Sequence, residues 1–227
     1  MSQPRMNIYG FPHKGLRIAL SELSKSAGNT DYANVQSLDN LKILSAEIVT
    51  LLDLHLHSEE DVVLPALEVK VPGSTNENIE EHEQLEQEVK AFVEQLKNIA
   101  IDSPPDAGAK FYDAVSNFHS NYLDHMAMEE RDMNPLIWNN FTDEELMGWH
   151  GQIMSTLSPD QIMMWFKYIV PSLNPFERSM IMGGFQANAP ADFFNDVLNM
   201  LKSHLSASEH LKLVAMLDQP EVNPQDA

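Results

Sequence analysis

The sequence contains no cysteine. This absence excludes disulfides, cysteine-ligated iron–sulfur clusters, zinc fingers and thiol nucleophiles. Any bound metal ion must therefore be held by nitrogen and oxygen donors.

Basic residues are also scarce. The chain has 14 Lys and Arg against 34 Asp and Glu, which gives a formal net charge of -20. A nucleic acid or an anionic membrane surface would be repelled by this charge, so the composition predicts neither as a partner.

Long apolar runs are missing as well. No stretch of about 18 apolar residues predicts a membrane span, and the first residues, Met1 to Arg5, lack the apolar core of a signal peptide. We therefore expect a cytoplasmic protein. Its 227 residues with 43% hydrophobic content are sufficient to bury a sizeable core.

What the sequence does contain is helical periodicity, with no convincing alternating strand pattern. The expected fold is all-α: an up-down four-helix bundle over residues 1–140, followed by a smaller helical extension, 141–220, packed on the bundle. Residues 221–227 are predicted to be a flexible tail. The four long helices are predicted at about 13–27, 32–69, 76–100 and 106–134. The extension shows sequences typical of capping boxes at Thr142, Ser158 and Ser206.

One pattern occurs twice within the predicted bundle. A histidine is followed 42 or 43 residues later by His-x-x-x-Glu, and a proline comes six residues after the glutamate. The first copy is His13, His55, Glu59 and Pro65, and the second is His82, His125, Glu129 and Pro135. The last three members of each copy are separated from their counterparts by 70 residues. This register predicts two helical hairpins related by a pseudo-twofold axis.

The spacing indicates a metal site. Residues four apart lie on one face of a helix, so each His-x-x-x-Glu pair directs an imidazole and a carboxylate the same way. Burying such groups unpaired would cost about 1 to 3 kcal/mol each, and more for charges, whereas metal coordination removes that cost. The predicted metal ligands are His13, His55, Glu59, His82, Glu86, His125 and Glu129.

Glu86 enters this set because it lies four residues after His82 and could reach the metal or only its surroundings. Arg17 lies four residues after His13 and could pair with a site carboxylate or remain at the surface. Glu60 and Glu130, which follow the two ligand glutamates, could face a neighbouring helix, but solvated acids are the favoured interpretation.

These residues resemble the hemerythrin-like, or HHE cation-binding, family. The resemblance covers about residues 11–138 and rests on Phe11-Pro12-His13, the stretch from His55 to Pro65, Glu81-His82, and the stretch from His125 to Pro135. It implies a four-helix bundle with a cofactor of two iron ions, imidazole ligands from the four histidines, and bridging carboxylates from Glu59 and Glu129. Oxygen-carrying members use His-x-x-x-His where this chain has His82 and Glu86, which leaves reversible oxygen carriage open.

The extension resembles, more loosely, the helices that follow hemerythrin-like domains in plant iron-sensing ubiquitin ligases. The stretches that carry this similarity begin at Trp149 and Pro171. Those proteins also have cysteine-rich ligase modules, which this chain lacks, so ligase activity does not transfer. The C-terminal helices remain a surface for a protein partner or a second copy of the chain.

Three functions fit these observations. The first is a binding or sensing module that responds to oxygen, another small diatomic ligand such as nitric oxide, or iron itself. The second is a di-iron oxidase or peroxidase-like enzyme, and the third is a protein of iron storage or homeostasis. Manganese or zinc, held structurally, is the alternative to iron because the donors suit several metals.

Overall fold

The computed structural model describes residues 5–104 and 106–218. These residues form helices joined by short connections, and no strand occurs among them. The all-α prediction is therefore confirmed. The described ranges contain no helix that combines the length and the apolar content needed to cross a membrane.

Four long helices form the bundle. They are α1 (Gly10–Asn29), α2 (Val35–Ser58), α4 (Asn76–Lys97) and α5 (Ala107–Met128). Helices α1 and α4 each pack against both α2 and α5, which closes the four into a ring. The predicted four-helix bundle is thus confirmed. The segment predicted as one helix over about 32–69 is divided, with α2 ending at Ser58 and further helical turns continuing to Lys70.

The bundle core is built from the apolar stripe of each helix. Leucine and isoleucine side chains dominate on α1 and α2, while phenylalanines of α4 and α5 contact one another with tilted rings, as Phe92 and Phe118 do with ring centroids 5.2 Å apart. The most deeply buried of these side chains are Leu16, Leu20, Leu23, Ile48, Leu51, Phe92, Phe111 and Phe118. Apolar burial of this kind is the main stabilising term of a bundle.

Both helices that carry a His-x-x-x-Glu pair widen into a π-helical turn directly after it. These turns span Glu59–Val63 and Glu129–Met133, and they continue as α3 (Leu64–Lys70) and α6 (Asn134–Asn140). Proline explains the position, because Pro65 and Pro135 supply no amide hydrogen and their rings clash with the carbonyl four residues before. The amide before each proline instead donates to the carbonyl five residues back, Leu64 to Glu59 and Asn134 to Glu129.

The next helix, α7 (Asp143–Thr156), begins at a capping box in which Thr142 and Glu145 exchange hydrogen bonds. Leu146 and Trp149 of α7 join an apolar cluster with Tyr9, Leu67 and residues of α6. The chain divides into two compact units, residues 1–158 and 159–227. Helix α7 therefore belongs to the same unit as the bundle. The second unit begins at residue 159, whereas the sequence predicts that the extension begins at residue 141.

The second unit contains four shorter helices: α8 (Pro159–Ser172), α9 (Pro175–Asn188), α10 (Ala191–Leu201) and α11 (Ala207–Leu217). They enclose their own apolar core, whose most buried members include Val170, Met182, Val197 and Leu201. Capping boxes begin α9 at Asn174 and α11 at Ser206. The predicted tail, 221–227, lies outside the described residues.

Candidate metal centre

The four histidines and two glutamates of the repeated pattern meet in the interior of the bundle. Each is 5% exposed or less, and Glu129 and His13 are fully buried. The donor atoms form two groups in which all atoms lie within 4.8 Å of one another. The first group is His13, His55, Glu59 and Glu129, and the second is Glu59, His82, His125 and Glu129. Both carboxylates belong to both groups.

Contacts between imidazole and carboxylate define the geometry. The Nε2 atom of His82 lies 3.2 Å from Glu59 Oε2 and 3.8 Å from Glu129 Oε1. His13 Nε2 is 3.2 Å from Glu129 Oε2. His55 Nε2 is 3.4 Å from Glu59 Oε1, and His125 Nε2 is 3.3 Å from Glu129 Oε1, one helical turn along in each case. Each of the four imidazoles therefore directs Nε2 at the carboxylates.

Several of these buried atoms have no hydrogen-bond partner among the described residues, although they lie close together. They include His13 Nε2, His82 Nε2, both carboxylate oxygens of Glu59, and Glu129 Oε2. Buried polar atoms without partners are costly and rare in folded proteins. Polar atoms that face a common point without bonding one another have the arrangement that ligands of a metal ion require, so the residues present fit such an ion.

A second layer of carboxylates orients the imidazoles. His13 Nδ1 donates to Glu130 Oε1 at 2.9 Å, and His125 Nδ1 donates to Glu81 Oε2 at 2.8 Å. His82 Nδ1 donates to Glu60 Oε1 at 3.3 Å. An ionised carboxylate can only accept, so these contacts place a proton on Nδ1 and make Nε2 the nitrogen that would bind a metal ion.

Two further polar contacts hold the carboxylates themselves. Asn78, which is 1% exposed, donates from Nδ2 to Glu129 Oε1 at 2.9 Å. Arg17 donates to both oxygens of Glu130, at 2.7 and 3.1 Å, and thereby links a surface cation to the partner of His13. Arg17 thus pairs with a carboxylate of the site, which was one of its two predicted roles.

Glu86 is the predicted ligand that the structure does not bring to the cluster. Its side chain is 41% exposed and pairs with Lys90 one turn further along α4. The two pairs that do converge both enter a π-helical turn at the glutamate, whereas Glu86 lies within the regular helix α4. A cation at the surface is the nearer partner for its carboxylate.

Sequence reasoning missed or disfavoured the supporting residues of the site. Glu60 and Glu130 take the less favoured of their two predicted roles, because each contacts a buried imidazole of another helix while keeping part of its side chain in solvent. Asn78 and Glu81 were not identified. Their proximity to the pattern was the available signal, since Glu60, Glu130 and Glu81 each adjoin a predicted ligand and Asn78 lies four residues before one.

The charges of the site perturb its protonation. Burial favours neutral His13, but contacts with Glu129 and Glu130 outweigh burial and raise its pKa to about 9. The pKa of His82 rises to about 10 because Glu129 and Glu59 overcome the same burial effect. Burial and the nearby Glu129 raise the pKa of Glu59, whereas contacts from three histidines outweigh burial and hold the pKa of Glu129 below its ordinary value. In the metal-free protein, protons on His13 and His82 thus partly balance the negative charge of the clustered carboxylates.

A helical bundle with a buried cluster of histidines and carboxylates is the architecture of a metal-binding bundle protein. Comparison with protein families agrees: the hemerythrin HHE cation binding domain matches residues 11–137, more than half of the chain. The chain belongs to this family, and its buried His and Glu groups could hold a metal ion. Searches of the curated proteins and of the solved structures gave no match. The similarity of the C-terminal helices to plant ubiquitin ligases stays a prediction.

Proposed function

We propose that this chain binds two iron ions side by side in the bundle. One would be held by His13 and His55, the other by His82 and His125, and both by Glu59 and Glu129. The observation that carries this proposal is the sharing of both carboxylates between the two four-residue groups. A carboxylate has two oxygens and can bridge neighbouring ions, whereas a single mononuclear site would not need two overlapping groups.

The donor types support iron. Two imidazole nitrogens and two carboxylate oxygens for each ion form a mixed set that suits iron, and the absence of cysteine removes the donors of a structural zinc site with thiolates. The set would supply four protein donors to each ion. An ion that takes five or six ligands therefore keeps a position for a molecule from outside the protein.

We further propose that this position takes a small diatomic ligand, oxygen or nitric oxide, and that the protein carries or senses it. The metal pair, when bound, would supply redox-active binding of such a ligand. The protein's own contribution is burial, since all six donor residues are 5% exposed or less. A site so enclosed favours a ligand of two atoms over a larger substrate and keeps bulk water away.

The direct test is metal content, measured on the full chain purified under iron-replete conditions, together with visible absorption before and after air reaches the reduced protein. We expect about two irons per chain and a new absorption band with oxygen or nitric oxide. Reversal of the oxygen band under vacuum would support carriage or sensing. Steady consumption of oxygen or peroxide well above that by free iron would instead support an enzyme, and zinc without a spectrum would contradict the proposal.

Matched variants sharpen this test. Glu59→Gln and Glu129→Gln keep the shape of the side chain but remove the charge that a bridge requires, so each should reduce the iron content to one per chain or less. Glu86→Gln makes the same chemical change on the exposed side chain that pairs with Lys90 and should keep two irons. Equal iron content in all three variants would contradict the proposed ligand set.

A further inference from the structure

Tyr9 lies at the edge of the metal centre. It precedes α1 by one residue and comes four residues before His13, whose ring centroid is 5.1 Å from that of Tyr9. The side chain is 1% exposed, and its ring packs into the apolar cluster that includes Val63, Leu67 and Met133. The ring of Tyr9 therefore packs against this apolar cluster and also contacts the imidazole of His13.

The hydroxyl of Tyr9 is buried and has no hydrogen-bond partner among the residues that the structure describes. A buried tyrosine hydroxyl normally has one, because leaving it without a partner is costly. Burial raises the pKa of the Tyr9 phenol well above the ordinary value, and the Glu129 and Glu59 carboxylates raise it further. The unused donor therefore belongs to a ring that lies beside His13, whose Nε2 is 3.2 Å from Glu129 Oε2.

The other half of the bundle shows what a donor in this place does. Asn78 comes four residues before His82, as Tyr9 comes four residues before His13, and its amide donates to Glu129 at 2.9 Å. Both side chains thus lie about one helical turn before the first histidine of their half, Tyr9 directly before α1 and Asn78 within the first turn of α4. One donor is committed to a protein carboxylate, and the other is available.

We propose that the Tyr9 hydroxyl donates a hydrogen bond to the small ligand taken up at the metal pair, on the side held by His13. This inference rests on the proposed function, because it requires the metal pair to be present. A ligand atom that gains negative charge at an iron ion is a strong acceptor, and a donor preorganised in a dry site favours its binding. Tyr9 would thereby select ligands that can accept a hydrogen bond and would make the two ends of the centre unequal.

Azide is a suitable probe, since it is a small anion and accepts hydrogen bonds. The experiment titrates azide into the oxidised, iron-loaded full chain and follows the absorption change in the wild type and in the Tyr9→Phe and Tyr122→Phe variants. Tyr122 is the control, because its buried ring centroid lies 5.7 Å from that of His125 and the same two carboxylates raise the pKa of its phenol. Unlike that of Tyr9, its hydroxyl is not one of the buried atoms without a partner among the described residues. We expect Tyr9→Phe to weaken azide binding about tenfold at unchanged iron content, and Tyr122→Phe to change it less than about twofold.

A second measurement requires no substitution. If Tyr9 donates to azide, the infrared stretching frequency of bound azide in the wild type should shift between H₂O and D₂O, and the shift should disappear in Tyr9→Phe. Equal azide affinity in wild type and Tyr9→Phe, or a wild-type stretch that does not respond to D₂O, would overturn the inference. So would a visible phenolate-to-iron band that Tyr9→Phe removes, since Tyr9 would then be a metal ligand.

The two proposals fail in different ways. Wild-type protein that binds no pair of irons removes the proposed function, and the inference with it. Wild-type protein that binds two irons and azide, but is indifferent to Tyr9→Phe, leaves the proposed function intact and overturns the role of Tyr9 alone.

Discussion

The two halves of the bundle are alike in their donor residues and different in what surrounds them. The imidazoles of His13 and His55 correspond to those of His82 and His125, and each half ends its pair in a π-helical turn before a proline. Four residues before the first histidine, however, the halves carry Tyr9 and Asn78, and four residues after it they carry Arg17 and Glu86. The donors are symmetric, whereas the residues that tune them are not.

The halves also depend on each other. Glu60 belongs to the first half but contacts His82, and Glu130 belongs to the second half but contacts His13. Both carboxylates, Glu59 and Glu129, face histidines from the two halves. Neither hairpin can therefore assemble the centre alone, and this interdependence explains why ion binding should be coupled to folding of the whole bundle.

The largest expected effect removes the ions that the two halves share. A ligand present at about 1,000 times its Kd stabilises the folded state by about 4 kcal/mol, and 1 kcal/mol corresponds to about 2–4 °C in Tm for a chain of this size. Chelation should therefore lower Tm by about 8–16 °C in calorimetry. Glu129→Gln is the control, because a chain that holds fewer ions should lose less on chelation. An unchanged melting curve with the iron removed would contradict the coupling.

The next effect tests the asymmetry between Arg17 and Glu86. Arg17 holds Glu130, which orients His13, so Arg17→Gln should weaken iron binding about tenfold, the lower end of the range for residues that support a ligand. Glu86→Gln changes the equivalent position of the other half and should alter the affinity less than about twofold. Competition with a chromophoric chelator measures both. Equal losses would mean that Glu86 does reach the centre.

The smallest effect concerns protonation of the metal-free protein. In His125, contacts with Glu129 and Glu81 outweigh burial and raise the pKa, whereas burial and the neighbouring His13 lower the pKa of His55, its counterpart 70 residues earlier. Titration followed by NMR should therefore find His125 still protonated, and His55 neutral, above the ordinary pKa of about 6.5. Glu81→Gln should lower the pKa of His125 and make the two halves more alike.

The sign of the stability change follows from these shifts. A folded-state pKa above the ordinary value means that protonated His125 stabilises the folded metal-free protein fully below pH of about 6.5, and this contribution is lost as the pH rises through the folded-state pKa. The lowered pKa of His55 has the opposite effect on stability. Neutral His55 contributes to the stability of the folded protein above pH of about 6.5, and this contribution is lost as the pH falls through its folded-state pKa. Chemical denaturation of the chelated protein at several pH values measures the sum, and Glu81→Gln should weaken its high-pH decline. An identical pH profile in this variant would contradict the assignment.

The sequence predicted much of the fold and most of the cluster. Apolar residues at helical spacing identified the four long helices, and the predicted interruption between residues 69 and 76 separates the first hairpin from the second in the structure. Equal spacing of His55, Glu59 and Pro65 from their counterparts identified residues that the structure brings together. These signals are local, because helix periodicity and the missing amide of proline act within a few residues along the chain.

The sequence did not predict the partner of a glutamate that could contact either solvent-exposed groups or the buried centre. The sequence allowed Glu60 and Glu130 either a solvated surface or a neighbouring helix and favoured the surface, yet each meets a histidine of another helix. Glu86 has the same spacing from His82 that Glu59 has from His55, yet it pairs with Lys90 at the surface. Spacing gives the face of a helix but not the groups that the neighbouring helices present to it.

The sequence by itself determined the kinds of donor, their register and the helices that carry them. Only the tertiary structure decided that the two carboxylates belong to both donor groups, that Asn78 is committed to Glu129, and that the Tyr9 hydroxyl is not. The physical reason is that periodicity is a property of one helix, whereas a shared carboxylate and an available donor depend on how four helices pack around one point.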